Sequence, residues 1–592
     1  MKGFWANPFI RSRYPLAMGA GLVLAAAFPP IGIAGFAWVA PGLMVAVAGG
    51  RSGGERFRIG YVAGLAHYLA MLHWLLLIPF RWHGVPIGPA AGWLALGGFL
   101  ALYPATWVWL VCPVQSPKSE VRSPKSEVRS QESGSGGQEL EGSGMVSGLH
   151  LGMEGYTGLL PRSWVGRAVW AVSGAAVWVA LEMVVARVLG GFPWDLLGVS
   201  QYGLVPLIQI ASVTGVYGVS FVVAWVSLAL LSGALMLIRR PTVRSIWVGE
   251  IFLPVLVVAV IFNFGLRQLR EAPPQAISLQ VILVQPSIPQ TLIWDPRADD
   301  TRFQDLLRLT EQALTNQADI LIWPESAVPK LLRYDTNTFS AITGLAQRHH
   351  VWMIVGSDDA EPSPNAANPD VTDYSNSSFL VSPQGQLVER YLKRNLVVFG
   401  EYIPLQRWLP FLKYFTPVQG GFTAGTGPVP FDLPDLHVKT SVLICFEDIF
   451  PQLARGDVRP DTDFLVNITN DGWFGRSAAQ WQQAITALFR TVENGVPLIR
   501  CCNNGLTCWI DAQGRMRDVF RDDRGTIYGA GFKTVKIPVM APGETHAPTF
   551  YTRHGDWFGW GCVAVAVLVL VRRLTEKIGQ KEFRQKNLET EK

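Results

Sequence analysis

A helix needs roughly 20 mostly apolar residues to cross the hydrocarbon core of a bilayer, and this chain offers eight such stretches. They fall at residues 14–30, 31–48, 61–80, 87–111, 165–188, 208–238 and 246–266, with a shorter one at 557–571. Such a chain is not a purely water-soluble enzyme, and with 49% hydrophobic and 16% charged residues it is not disordered. Between residues 1 and 113 the only acidic residue is Glu55, whereas Arg and Asp are common between 295 and 523. Two halves built for different solvents are implied. The first stretch runs straight into another and has no small-residue cleavage site, so it reads as a retained helix and not as a removed signal peptide.

Cytoplasmic loops collect Lys and Arg. Lys2, Arg11 and Arg13 precede the first stretch, and Arg51, Arg56 and Arg58 follow the second. Lys118, Arg122, Lys125 and Arg129 follow the fourth, Arg239, Arg240 and Arg244 the sixth, and Arg572 and Arg573 the eighth. Alternate loops such as 190–201 are nearly free of them. Eight crossings with both termini in the cytoplasm satisfy this pattern, and the long segment between the seventh and eighth then lies outside, in the periplasm of a cell that has one. The insert at 116–145 is rich in Ser, Gly, Glu and Lys and carries SPKSEVR twice in tandem. It cannot bury enough apolar surface to offset chain entropy, so a disordered cytoplasmic loop is expected across 114–160.

A net charge of +5, with the basic residues beside apolar stretches, gives no nucleic-acid footprint. Cys112, Cys445, Cys501, Cys502, Cys508 and Cys562 form neither a disulfide framework nor a zinc pattern. No P-loop or dinucleotide-type glycine pattern stands out, so neither a metal nor a nucleotide cofactor is expected.

Between 276 and 542 short β-rich runs (SLQVILVQP, ADILIWPE, VWMIVGS, SSFLVSP, TSVLICFED, DFLVNITND) alternate with helical stretches such as 302–317 and 478–492. This is the pattern of an α/β domain, where chemistry sits just beyond strand ends. Three residues stand at or near such ends: Glu325, Lys393 and Cys445. Each has a bland reading, as a turn cap, a solvated basic patch and a core thiol respectively. Together they supply a base, a fixed positive charge for an oxyanion and a nucleophile.

The arrangement resembles the carbon–nitrogen hydrolase (nitrilase) superfamily, and the membrane frame around it resembles the apolipoprotein N-acyltransferase family. The matching segments are GGFPWDLLGVSQ (190–201), VQPSIPQTLIWD (284–295), WPES (323–326), KRNLVVFGEYIPL (393–405), ICFED (444–448) and NITNDGWFG (467–475). The resemblance implies a multi-pass α-helical membrane domain with eight transmembrane helices, joined to an αββα sandwich. The implied division is 1–270 for the first seven spans, 271–548 for a periplasmic catalytic domain, and 549–592 for the last span and a basic tail.

Carried over by position, Glu325 resembles the family's general base, Lys393 its oxyanion-stabilising lysine and Cys445 its nucleophile. Glu401 and Glu447 match supporting glutamates, and Trp294 matches a tryptophan near the lipid-binding cleft. Phe446 stands where the family often has Tyr, although its backbone N–H remains a candidate oxyanion donor. Trp194 and Trp473, with Phe474, are candidates to line a lipid entrance or are ordinary interfacial anchors. The resemblance implies a ping-pong acyl transfer without a cofactor in a bacterial inner membrane. The partners are a phospholipid donor, phosphatidylethanolamine by expectation, and a diacylglyceryl apolipoprotein acceptor. Glu182 and Glu250 lie within apolar stretches and are assigned no role, and His67 and His73 read as packing residues. Two rivals stand beside this reading: a membrane-tethered amidase, and a transporter or scaffold with an inactive ectodomain.

Overall fold

The computed structural model describes residues 13–79, 87–112, 160–161, 163–239, 242, 244–270, 276–293, 295–363, 372–404, 408, 410 and 421–590. The tandem insert, nearly all of 114–160, and Trp294 lie outside the described residues.

The N-terminal half is a helical bundle: α1 (Tyr14–Ala25), α2 (Ala40–Ala48), α3 (Gly53–Met71), α4 (Gly88–Leu100), α5 (Leu102–Val111), α6 (Trp164–Val185), α7 (Val216–Arg239) and α8 (Arg244–Gln268). Among the described residues five helical stretches are long and apolar enough to cross a bilayer: 88–111, 164–185, 216–239, 248–268 and 557–576. The first, second and third sequence stretches fall outside these five, the third because its helix ends at Met71 and a separate 3-10 turn follows at His73–Leu77, and the sixth is broken near its start. α1 has 12 residues and spans only about 18 Å at 1.5 Å per residue. It ends in a turn before Pro29–Pro30, and Pro41 opens the first turn of α2. The sixth stretch breaks at Gly215, whose φ of +68° ends one helix before α7 begins. α3 starts earlier than its apolar stretch because Ser52 caps it, accepting from Glu55 N at 3.4 Å. Arg56, expected in a loop, is therefore inside that helix and buried, and it donates to the Cys112 carbonyl at 3.2 Å.

Small residues let these helices approach closely. A Cβ added at Gly21 of α1 would lie 2.0 Å from the Ala63 carbonyl oxygen of α3. The intramembrane carboxylates are partnered. Glu250 pairs with Arg167 at 2.5 Å and accepts from Ser232 at 3.0 Å, joining α8, α6 and α7. Glu182 accepts from Trp178 Nε1 at 2.9 Å and from Leu197 N at 2.8 Å, which pins the loop after α6.

The second half begins with β1 (Ala276–Gln285), followed by α9 (Asp299–Ala313), β2 (Ile320–Ile322), α10 (Thr336–His349), β3 (Trp352–Pro362), β4 (Thr372–Val381) and β5 (Leu387–Leu392). It continues through β6 (Pro430–Leu433), β7 (Val438–Ile444), β8 (Phe464–Thr469), α11 (Ala479–Asn494), β9 (Leu498–Cys502), β10 (Cys508–Ile510), β11 (Met516–Arg517) and β12 (Gly531–Met540). One sheet runs β12-β1-β2-β3-β4-β5 and the other β11-β10-β9-β8-β7-β6. Alternation explains the layers. Val281 and Leu283 of β1 meet Val442, Ile444, Val466 and Ile468 of β7 and β8 between the sheets, while Ile282 and Val284 face α9 and α10. Leu443 and Leu465 on the far face of the second sheet join α11 and the bundle in one continuous core. The order is helices, sheet, sheet, helix, with α11 wedged between the second sheet and the membrane domain. Every residue of α11 except Trp481 is buried. The chain closes with α12 (Trp557–Thr590), which packs on α6.

Candidate active site

Parallel pairing of β1, β2 and β3 in one sheet and of β7, β8 and β9 in the other aligns their C-terminal ends. Glu325 follows β2 after Trp323–Pro324, Lys393 follows β5, and Cys445 follows β7. Ser326 and Cys445 both hold positive φ, +50° and +54°, in a region that L residues avoid unless the surroundings impose it. At Cys445 this bend turns a strand directly into the 3-10 turn Cys445–Ile449.

Lys393 Nζ, fully buried, donates to Glu401 Oε1 at 2.8 Å and to Glu325 Oε1 at 3.2 Å. Asn376 Nδ2 donates to the same two oxygens, at 2.9 and 2.8 Å. Glu325 Oε1 is thereby saturated, while its Oε2 is buried and has no hydrogen-bond partner among the described residues. Burial alone would drive Lys393 towards its neutral form, but Glu325, Glu401 and the Cys445 sulfur hold its ammonium well above the ordinary lysine range. Burial pushes the Cys445 thiol well above the ordinary cysteine range and Glu325 adds to this, against the pull of Lys393 and the Thr469 hydroxyl. The resting sulfur is therefore a thiol. Glu325, Lys393 and Glu401 each contribute to its electrostatics, so the three predicted positions form one cluster.

Glu447 ties this cluster together from beneath. Its Oε2 accepts from Ile444 N at 2.7 Å and from Tyr391 OH at 2.9 Å, and its Oε1 from Arg394 N at 2.7 Å and Asn395 N at 3.0 Å. One carboxylate thus joins the turn that carries Cys445 to the loop that follows Lys393. The Cys445 carbonyl accepts from Asn467 Nδ2 at 2.7 Å and from Gln483 Nε2 at 3.2 Å. Gln483 also donates to Asp448, which pairs with the buried Arg500. Phe446 is half-buried and packs edge-to-face on Phe450, with ring centroids 5.1 Å apart.

The aromatic candidates are placed differently. Trp194 is buried in the joint between the domains, stacked on Phe192, and donates to Gln482 Oε1 of α11 at 2.9 Å. Trp74 donates to the same oxygen at 2.9 Å, while Gln482 Nε2 donates to the Pro29 and Met71 carbonyls. Trp473 is half-buried on the turn Asp471–Phe474, whose Phe474 packs on Trp74 at 4.4 Å. Among the described residues no group of three or more His, Cys, Asp or Glu is placed to hold a metal. Sequence reasoning missed Asn376, Thr469, Asn467, Gln482 and Gln483. The signals available were an unusually polar run, Ser375–Ser378, inside a strand, and the matching segment 467–475, which contains Asn467 and Thr469.

Residues 281–530 match the family model for carbon-nitrogen hydrolases, and residues 20–121 and 143–229 match that for the apolipoprotein N-acyltransferase N-terminal domain. The chain is 33% identical over 574 residues to the apolipoprotein N-acyltransferase of Geobacter metallireducens, covering 96% of each. It is 32% identical to that of Bradyrhizobium diazoefficiens, covering 70% of this chain and 75% of the relative. Among solved structures, Saccharomyces cerevisiae Nit3, a member of the nitrilase superfamily, aligns with 44% of this chain and 90% of its own, at 17% identity and a TM-score of 0.32. A helical membrane domain bearing a nitrilase-type hydrolase domain, and near end-to-end similarity to these relatives, place the chain as an enzyme of the apolipoprotein N-acyltransferase family.

Proposed function

We propose that this chain moves an acyl group from a membrane phospholipid, expected to be phosphatidylethanolamine, through a thioester on Cys445, to the α-amino group of the diacylglyceryl-cysteine that begins an apolipoprotein. Glu325 Oε2 takes the Cys445 proton as the sulfur attacks the ester carbonyl. The tetrahedral oxyanion is stabilised by the Lys393 ammonium and the Phe446 backbone N–H. The carbon–oxygen bond breaks, Glu325 returns the proton to the departing lysophospholipid, and the acyl group stays on sulfur. The acceptor amine then attacks the thioester, its proton passes to Glu325, and the carbon–sulfur bond breaks. Glu325 returns that proton to the sulfur.

The observation that carries this reading is the state of Glu325: one oxygen saturated by Lys393 and Asn376, the other buried and unpartnered beside a neutral thiol. A thiol of raised pKa needs such a base at the moment of attack. Glu447 holds the nucleophile's turn in place. Glu401 keeps Lys393 charged and acts in the transfer half. Trp473 lines the lipid entrance with Trp194 as the wall behind it, and Trp294 serves the lipid cleft by resemblance. The eight-crossing topology, with both termini in the cytoplasm of an inner membrane and the catalytic domain in the periplasm, rests on the alternation of basic loops. The boundaries at 270 and 548 rest on the resemblance, and the 114–160 loop rests on its Ser, Gly, Glu and Lys-rich composition.

Intact-mass analysis after incubation with phosphatidylethanolamine vesicles tests the chemistry. One added fatty-acyl mass is expected, absent in Cys445→Ser, Glu325→Ala and Lys393→Ala, and discharged by a diacylated lipopeptide. Glu401→Ala is expected to load but not to transfer. Acylation that persists in Cys445→Ser rejects the nucleophile.

A further inference from the structure

Asn376 donates both amide hydrogens, one to Glu325 and one to Glu401, so it fixes the base and its neighbour with a single group. Its other end, Oδ1, is buried and finds no donor among the described residues. The β3–β4 ladder pairs Asn376 with Asp358, and directly opposed residues of an antiparallel pair project from the same face with Cβ atoms about 4.5–5.5 Å apart. Asp358 Oδ1 is also buried without a partner. Two buried acceptors, each without a donor among the described residues, thus sit at opposed positions on one face of the sheet, a situation that buried polar groups avoid.

One proton on Asp358 satisfies both. We propose that Asp358 is held as a neutral carboxylic acid that donates its O–H to Asn376 Oδ1, making it a positioning residue that aims the Asn376 amide at Glu325 and Glu401. The charged groups around it agree. Glu325 beyond β2 and Glu401 beyond β5 disfavour a third carboxylate, while Lys393 at the end of β5 and Arg302 of α9 favour one. Burial and the two glutamates prevail, pushing the acid up to about 7. Arg302 Nη1 also lacks a hydrogen-bond partner among the described residues, although the side chain is held by Asp299 at 3.1 Å. An ionised Asp358 answered by Arg302 is therefore the competing arrangement.

The inference rests on the proposed role of Glu325, so its test includes readouts that need no catalysis. Asp358→Asn keeps a donor for Asn376 without a titrating proton. It is expected to load Cys445 within about twofold of the parent at pH 6. At pH 8.5 it should exceed the parent at least tenfold, because a group with pKa about 7 is then about 97% ionised. The melting temperature of Asp358→Asn relative to the parent should rise over the same interval, and an infrared carboxylic-acid band that titrates near pH 7 should vanish. Asp358→Ser, which also donates, should flatten the pH dependence if the amide variant folds poorly. Asp358→Leu should load more slowly at both pH values. A ratio and a melting difference that stay flat from pH 5.5 to 8.5 would overturn the proposal and leave Asp358 to Arg302. Failure of the parent to load at any pH, with the melting and infrared shifts intact, would reject the catalytic reading alone.

Discussion

Gln482 is the hydrogen-bond hub of the joint between the two domains, and replacing it with Leu isolates what that joint contributes. Its Oε1 accepts from the indoles of Trp74 and Trp194, both at 2.9 Å, and all three side chains are buried. Leucine fills similar volume but neither accepts nor donates: the Pro29 and Met71 carbonyls lose a donor, and two buried N–H groups are left without partners. Each such group costs about 1–3 kcal/mol, so the pair costs roughly 2–6 kcal/mol. For a cooperative unit of about 250 residues, roughly 2 °C is lost per kcal/mol, giving a fall in Tm of about 4–12 °C. The assay is thermal unfolding of detergent-solubilised protein, run as a cycle with Trp194→Phe. In that background one of the two N–H groups is already gone, so Gln482→Leu should cost about 1–3 kcal/mol less. A fall under about 1 °C, or strict additivity of the two changes, would refute the reasoning.

Three further outcomes follow from the same geometry. Glu447→Gln replaces a carboxylate that accepts four hydrogen bonds, and acyl loading of Cys445 should drop by about 10- to 100-fold given about 1.5–3 kcal/mol per charged hydrogen bond; an unchanged single-turnover rate contradicts its role as the tie between the two loops. Because the Cys445 thiol lies well above the ordinary range, iodoacetamide at pH 8 should alkylate it more slowly than a free cysteine peptide, with reactivity rising only at higher pH; faster labelling would mean a preformed thiolate. Burial raises Glu493 to about 7 while it accepts from Val216 N at the joint, so its stabilising contribution is full below its unfolded value near 4.5 and fades as pH rises through 7. The melting temperature of Glu493→Gln relative to the parent should accordingly climb from pH 5 to 8, and a difference that falls over that range contradicts the assignment.

How much was legible in the chain depended on what each residue type signals locally. Glu325 and Cys445 stand where apolar strand runs stop, so strand periodicity alone made them candidates. Lys393 sits among Arg390 and Arg394 and stood apart from them only through the resemblance. Asn376 carried only the faint signal of a polar run inside a strand, because a strand residue's role depends on what the neighbouring strands bring over it, here Glu325 and Glu401 from two separate loops. Gln482 was silent, since its partners Trp74 and Trp194 lie 408 and 288 residues away in sequence. In the membrane half, apolar runs located the bundle but not its breaks. Hydropathy does not register that Gly215 adopts a left-handed φ, or that prolines stop α1 short. Nor could it reveal that Arg167 and Glu250, 83 residues apart, neutralise one another between helices.

A thioester that waits for an amine is the heart of the proposed mechanism, and the time course of lysophospholipid release without acceptor tests it most directly. Rapid mixing of the protein with phosphatidylethanolamine should release about one equivalent per active site and then stall, resuming only when a diacylated lipopeptide is added. Continuous linear release without the lipopeptide would mean that water discharges Cys445 freely, which contradicts an acyltransferase and describes a lipid hydrolase.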